Sequence, residues 1–131
     1  MNYPTACMFF MVTKLSLCVD EQCFEEHVTL SNGCSIPMLK QFYYKNTFTP
    51  ACHRHDLCYH CAAVFNKSRL YCDELYHSDM INICSKKILR RHSCLTFSYL
   101  YFIGVRLGAK KNFKQENSKD CKEYWIRHCF V

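Results

Sequence analysis

Cysteine content constrains this chain more than any other feature of its sequence, because 12 of the 131 residues are cysteine. That share lies within the roughly 8–10% that is typical of short secreted proteins built on disulfides. In an oxidising compartment an even number of cysteines can pair completely, whereas a cytosolic protein would have to keep every thiol reduced. The sequence therefore predicts a secreted, extracellular protein that is rich in disulfides.

The remaining composition favours one mainly α-helical domain over residues 1–131. A chain of this length can form one modest hydrophobic core, which disulfides reinforce. Only three glycines and three prolines are present, too few for a small scaffold made mostly of loops.

Residues 1–19 have two interpretations that the sequence leaves open. The stretch Ala6–Val19 has the apolar length of a secretion signal, but it contains Lys14 and no basic residue precedes it. Cleavage after Cys18 would remove Cys7 and Cys18 and leave an even number of cysteines. Otherwise residues 1–19 are an N-terminal extension in which these two cysteines are bridged.

The formal net charge of +6 favours anionic surfaces, such as lipid headgroups or nucleic acid, without choosing between them. No segment reaches the roughly 18 consecutive apolar residues of a membrane span. Nothing in the sequence resembles a nucleic-acid-binding module, so we expect no nucleic-acid partner.

Two helices are predicted in the middle of the chain. Good helix formers run from Ala51 to about Phe65, with Pro50 in the tolerated first-turn position. Ser68 is a suitable N-cap for a second helix, which is predicted over Ser68–Ile83. The preceding stretch, Ser35–Pro50, fits neither helical nor strand periodicity and is predicted to be an extended loop.

One face of the first predicted helix carries Cys52, His55, Asp56 and Tyr59, since residues three and four apart share a face. A histidine here can accept a proton from water near neutral pH, and Asp56 can offer a carboxylate oxygen to a hard cation. An isolated His-Asp pair is, however, more often a solvated surface feature.

An aspartate on the second helix bears on this choice. If Cys72 bridges Cys58, the two helices lie side by side and Asp73 faces His55. A carboxylate there can bond one imidazole nitrogen and leave the other as a base. The alternative is an acid that merely stabilises the start of its helix. Asp79 competes for the same role, but it lies about 240° around the helix from Asp73.

The pattern Cys52-x-x-His55-Asp56-x-Cys58-Tyr59 resembles the active-site helix of the secreted phospholipases A2, and Cys72-Asp73 resembles the paired helix of that family. Further runs at 46–52, 66–69 and 79–80 are similar to the bacterial and fungal members. Runs at 32–37, 42–50 and 58–61 are most similar to the conodipine type from cone-snail venom. The resemblance covers about residues 32–84 and, more weakly, 121–130.

This resemblance implies a disulfide-rich phospholipase A2-like fold with two antiparallel catalytic helices and a calcium-binding loop. It implies that His55 activates water, that Asp73 orients His55, and that Asp56 binds Ca²⁺ together with the backbone carbonyls of Asn32 and Gly33. The glycine-rich calcium loop of the pancreatic and snake-venom enzymes is absent. The implied reaction is calcium-dependent hydrolysis of the sn-2 ester of a glycerophospholipid at a bilayer or micelle surface.

The resemblance also implies three disulfides, Cys34–Cys52, Cys58–Cys72 and Cys84–Cys121. It gives no pairing for the other half of the cysteines, which are Cys7, Cys18, Cys23, Cys61, Cys94 and Cys129.

Residues 85–120 have no clear counterpart in the bacterial enzymes and are expected to be either excised or retained. Three basic pairs, at 86–87, 90–91 and 110–111, surround the apolar stretch Leu95–Leu107. Cuts at Arg91 and Lys111 would remove that stretch with Cys94 and give a two-chain, disulfide-linked protein. If the segment is retained, a loop or hairpin whose basic pairs face solvent or lipid is expected.

The sequence leaves two rival functions open. Cysteines and histidines between Cys52 and Cys61 could ligate zinc, although abundant cysteine in a secreted chain favours disulfides. The same fold could also be a catalytically silent, toxin-like ligand of a receptor or channel. Four aromatic residues could either seat the enzyme on a bilayer or pack in the core, and core packing is favoured for at least half of them: Phe42, Tyr43, Tyr44 and Trp125.

Overall fold

A computed structural model describes Cys23, Phe24, Cys34 and residues 42–130 of the chain. Its described part is mainly helical, as expected, and contains three long helices: α1 (Lys45–Cys61), α2 (Arg69–Ser85) and α3 (Arg91–Gly108). Three short 3₁₀ helices follow, at Lys110–Asn112, Lys119–Lys122 and Ile126–Phe130. None of the helices in this part of the chain is long and apolar enough to cross a membrane.

Helix α1 begins at Lys45, so the predicted extended loop ending at Pro50 is wrong over its last six residues. Pro50 lies inside the helix, where an internal proline removes one backbone hydrogen bond. Burial compensates for this loss, because the Phe48 side chain is fully buried in the core. The Thr49 hydroxyl also donates to the Lys45 carbonyl at 2.9 Å.

The end of α1 and the start of α2 depend on local geometry. Helix α1 ends at Cys61 rather than Phe65, because the following residues form a turn in which Asn66 has a positive φ of 52°. The predicted N-cap is confirmed, since the Ser68 side chain accepts a hydrogen bond from the Tyr71 amide at 3.0 Å. Helix α2 extends two residues beyond the predicted end at Ile83.

The three helices pack in antiparallel pairs. Along α1 and α2, contacts join position 52 to 76, 55 to 73 and 58 to 72, so one chain number rises as the other falls. Along α2 and α3, contacts join 73 to 106, 77 to 102 and 84 to 94 in the same opposing order. Helix α2 therefore packs against both of the other helices. The segment 91–108 is a long helix rather than the expected loop or hairpin.

Within the described part of the chain, five disulfides connect these elements. The predicted pairs Cys34–Cys52 and Cys58–Cys72 are confirmed. The predicted pair Cys84–Cys121 is wrong, because α3 folds back along α2 and places Cys94 beside Cys84. The remaining bridges in the described part of the chain are Cys84–Cys94, Cys61–Cys121 and Cys23–Cys129. Cys7 and Cys18 lie outside the described residues.

Most of the aromatic residues that could have faced a bilayer pack inwards instead. Phe42, Tyr44 and Trp125 are partly buried against the core, whereas Tyr43 is mostly exposed. The Phe42 ring meets the Tyr101 ring of α3 edge-on, with centroids 5.2 Å apart. The preference for core packing is thus confirmed for three of these four residues.

Candidate active site

The predicted juxtaposition of His55 on α1 with Asp73 on α2 is present in the structure. The His55 Nε2 atom lies 2.8 Å from Asp73 Oδ1, and the Asp73 side chain is fully buried. The disulfide Cys58–Cys72 holds the two helices together next to this contact. One helical turn of α1 therefore carries both the histidine and the cysteine that fixes its partner helix.

Three donors surround the buried Asp73 carboxylate. Besides His55, the Tyr59 hydroxyl donates to Oδ1 at 2.6 Å, and the Arg106 guanidinium donates to Oδ2 at 2.7 Å. Burial alone would raise the pKa of Asp73, but the hydrogen bonds from His55, Tyr59 and Arg106 together hold it below its ordinary value. The carboxylate is therefore ionised near neutral pH.

An ionised carboxylate can only accept hydrogen bonds, so its contact with His55 fixes the tautomer of the imidazole. The proton of a neutral His55 ring must lie on Nε2, and Nδ1 is the nitrogen that can accept another proton. Two tyrosine rings flank the imidazole, with centroid distances of 4.2 Å to Tyr59 and 4.6 Å to Tyr76. The ring is thus oriented both by a hydrogen bond and by aromatic packing.

The tyrosine hydroxyls near His55 are held in their neutral form. Burial is the main cause that raises the pKa of Tyr59 above its ordinary value, and the adjacent Asp73 charge adds to the effect. Burial likewise raises the pKa of Tyr76, with smaller contributions from Tyr101 and from the negative charge of Asp56. These hydroxyls therefore act as hydrogen-bond donors near neutral pH and do not compete with His55 as bases.

Asp56 follows His55 on α1 and is half-buried, unlike the fully buried Asp73. Its negative charge contributes to the raised pKa of Tyr76, whose ring contacts the His55 ring. Asn32 and Gly33, the predicted backbone ligands, lie outside the described residues. Within the described part of the chain, no group of three or more His, Cys, Asp or Glu side chains could hold a metal ion.

Arg106 is the residue of this cluster that the sequence analysis missed. It lies on α3, in the segment that was expected to be either excised or a loop. One signal was available: Arg106 is the only lysine or arginine between Arg91 and Lys110, in an otherwise apolar stretch. A lone charge inside an apolar helix suggests a buried partner of opposite charge, but the sequence does not show which acid that is.

The competing acid, Asp79, faces a different partner. Its Oδ1 atom accepts a hydrogen bond from Arg54 at 2.9 Å, and Arg54 also donates to the Cys129 carbonyl at 3.0 Å. Arg54 therefore links α1 to both α2 and the C-terminal segment. Asp79 is paired with Arg54 rather than with His55, as its position around the helix predicted.

The disulfides exclude the zinc site considered above. Cys52, Cys58 and Cys61 are all oxidised, bonded to Cys34, Cys72 and Cys121 respectively. A disulfide sulfur is not a thiolate, so these cysteines cannot ligate zinc.

A histidine oriented by a buried carboxylate, on two helices clamped by a disulfide, is typical of hydrolases in which the histidine acts as a general base. Residues 19–109 of the chain match the family model described as prokaryotic phospholipase A2. The chain therefore belongs to the prokaryotic phospholipase A2 family.

Several curated relatives come from cone snails. The chain is 45% identical to Conodipine-P2 of Conus purpurascens over 56 residues, which is 43% of this chain and 30% of that protein. It is 38% identical to Conodipine-M alpha chain of Conus magus over 55 residues, or 42% of this chain and 70% of that one. The match thus spans less than a third of the first relative's length. No solved structure matches the chain significantly.

Proposed function

We propose that this protein is a secreted, calcium-dependent phospholipase A2 that hydrolyses the sn-2 ester of glycerophospholipids to a fatty acid and a lysophospholipid. The observation that carries the proposal is the 2.8 Å contact between His55 Nε2 and the buried Asp73 carboxylate. Membership of the family makes ester hydrolysis the expected use of such a pair. The five disulfides among the described residues support secretion, because such bridges persist in oxidising compartments.

In this mechanism His55 acts as the general base and the nucleophile is water. As the water oxygen attacks the ester carbonyl carbon, one of its protons passes to His55 Nδ1. The carbon–oxygen bond to the glycerol then breaks, and His55 returns the proton to the departing glycerol oxygen. Asp73 stabilises the imidazolium that forms between these steps and keeps the ring aimed.

Asp56 is proposed as the side-chain ligand of Ca²⁺, with the carbonyls of Asn32 and Gly33 as backbone ligands. Oxygen ligands suit this cation, and Asp56 is a half-buried residue that directly follows His55 on α1. The disulfide Cys34–Cys52 ties the residue that follows Gly33 to the helix that carries Asp56. Bound Ca²⁺ would supply positive charge that holds the phosphate and polarises the ester carbonyl.

The test is fatty-acid release from phosphatidylcholine vesicles, with calcium and with excess chelator. We expect His55→Gln to lower turnover by about 10²–10⁴-fold while the protein stays folded, because only the proton acceptor is lost. Asp73→Asn should lose less. His60→Gln, on the same helix, is the matched control and should stay near wild-type activity.

The calcium assignment has its own variant. Asp56→Asn should weaken calcium affinity and activity together, and high calcium should restore part of the activity. Full activity in chelator would remove Asp56 and Ca²⁺ from the mechanism. A folded wild-type protein that releases no fatty acid at any calcium concentration would instead favour the catalytically silent, toxin-like ligand.

We also propose that residues 85–120 are retained, so that the protein has one chain. Excision between Arg91 and Lys111 would remove all of α3 after its first residue, including Arg106, and would leave Cys84 without its partner Cys94. Mass spectrometry of the native protein before and after reduction should show one species of unchanged backbone length. Two species after reduction would establish the two-chain form.

A further inference from the structure

The turn between α2 and α3 presents an unusual surface. The turn and the first residue of α3 together form the sequence Lys-Lys-Ile-Leu-Arg-Arg, residues 86–91, here called the basic tip. Ile88 is 96% exposed and Leu89 is 81% exposed, and the four residues that flank them are all basic. No aspartate or glutamate occurs anywhere in the sequence between Asp79 and Glu116, so no acid close in sequence offsets this charge.

The basic tip is held in place at both ends. The disulfide Cys84–Cys94 closes the loop that carries it. The Lys87 amide donates to the Cys84 carbonyl at 3.0 Å, and the Cys94 amide donates to the Arg90 carbonyl at 3.0 Å. The exposure of Ile88 and Leu89 is therefore built into the fold, since these two side chains project from an anchored turn.

From this arrangement we infer that the basic tip is a docking surface for anionic lipid bilayers. Adjacent exposed apolar side chains gain free energy by entering the boundary between headgroups and acyl chains, and flanking cations are attracted to anionic headgroups. A partner that was only anionic, such as nucleic acid, would match the four charges but leave Ile88 and Leu89 in water. The inference deepens the proposed function, because it names the lipid surface on which that function would operate.

Binding can be measured separately from hydrolysis. Ether-linked phospholipids lack the ester bond, so cosedimentation of the wild-type protein with ether-lipid vesicles reports docking whether or not the protein is a phospholipase. The vesicles would be pure phosphatidylcholine or an equimolar mixture with phosphatidylserine. Chelator is present throughout, so that calcium cannot bridge protein and lipid. The wild-type protein should bind the mixed vesicles and bind pure phosphatidylcholine more weakly.

Two variants separate the charged and apolar contributions. Lys86→Gln with Lys87→Gln should weaken binding to the mixed vesicles by about 25-fold at low salt, since each basic residue near an anionic surface contributes about fivefold. Ile88→Ser with Leu89→Ser should weaken it by about tenfold or more. The changed residues lie on the surface, so both variants should keep the thermal midpoint of the wild type.

The opposite end of α3 provides matched controls about 27 Å away, the length of an 18-residue helix. Lys110→Gln with Lys111→Gln removes the same charge from exposed positions, and Leu107→Ser removes an apolar side chain that is 83% exposed. These controls should retain nearly all of the binding.

Several results would overturn the inference. Equal losses in tip and control variants would mean that net charge alone attracts the protein. Loss in the charge variant without loss in the apolar variant would indicate a general polyanion site, nucleic acid included. Loss only in the apolar variant would refute the preference for anionic lipid.

Discussion

Replacing Arg106 by glutamine tests whether α3 belongs to the candidate active site. The substitution removes the positive charge that lies 2.7 Å from the fully buried Asp73 carboxylate. Loss of one partner of a buried ion pair costs about 3–5 kcal/mol, and loss of one charge-assisted hydrogen bond costs about 1.5–3 kcal/mol. Arg106 is 31% exposed, and Asp73 keeps its other two donors. We therefore expect a loss of about 2 kcal/mol.

Guanidinium denaturation followed by circular dichroism should detect this change. With a slope of about 4 kcal/mol per molar, the midpoint would fall by about 0.5 M. Turnover on phosphatidylcholine should fall while KM changes little, because the carboxylate that aims His55 is less firmly held. Arg106→Lys should recover part of the lost stability and part of the lost turnover, since lysine keeps the positive charge but lacks the planar set of N–H donors of arginine.

The exposed Arg91, at the start of the same helix, supplies the control. Arg91→Gln should change the free energy of unfolding by less than about 0.5 kcal/mol. If Arg106→Gln were equally silent in stability and in turnover, α3 would have no part in positioning Asp73. The reasoning that connects the third helix to the site would then be refuted.

Two further predictions concern stability. Ser68→Ala should lower the free energy of unfolding by about 1 kcal/mol, because the Tyr71 amide loses its cap, whereas Ser68→Asp should not; equal losses would show that the cap contributes nothing. Burial raises the pKa of Asp79 to about 6 despite the adjacent Arg54, against about 3.9 in an unfolded chain. The folded state therefore binds the Asp79 proton more tightly than the unfolded chain does, and protonation of Asp79 stabilises the fold. This stabilisation is complete below about pH 4 and is lost as the pH rises through about 6. Unfolding measured between pH 4 and 7 should show an additional loss of about 2 kcal/mol in the wild type that Asp79→Asn lacks; parallel curves for the two proteins would contradict the assignment.

Local signals predicted the local structure well. The N-cap at Ser68 depends only on its own side chain and a backbone amide three residues on, so the sequence suffices to place it. The start of α1 was misplaced because Pro50 is a common first-turn residue, whereas the helix actually begins at Lys45, six residues before the predicted start at Ala51. What stabilises those residues is the burial of Phe48 against Tyr101 of α3, with ring centroids 5.3 Å apart. Such a distant contact leaves no trace in the local sequence.

The disulfides show the same contrast between features that sequence signals predict and features that depend on distant contacts. The pair Cys58–Cys72 connects two helices that the family resemblance already placed side by side. The pair Cys84–Cys94 depends on a third helix, for which the resemblance offered no guide, and so its partner was wrongly assigned. Arg106 escaped notice for the same reason, since its role requires knowing that α3 folds back along α2.

Three cysteines on α1 alternate with the proposed site residues, and each bonds a different part of the chain: Cys52 to Cys34, Cys58 to Cys72, and Cys61 to Cys121. Helix α1 is therefore covalently linked to three separate parts of the chain. Because the entropic cost of loop closure grows only slowly with loop length, a segment that connects two anchored points can lengthen without displacing α1. The exposed stretch 114–117, between α3 and Cys121, is such a segment. Related proteins should therefore vary most in length there, and insertion of a short peptide tag at this place should leave the geometry of His55 and Asp73 intact.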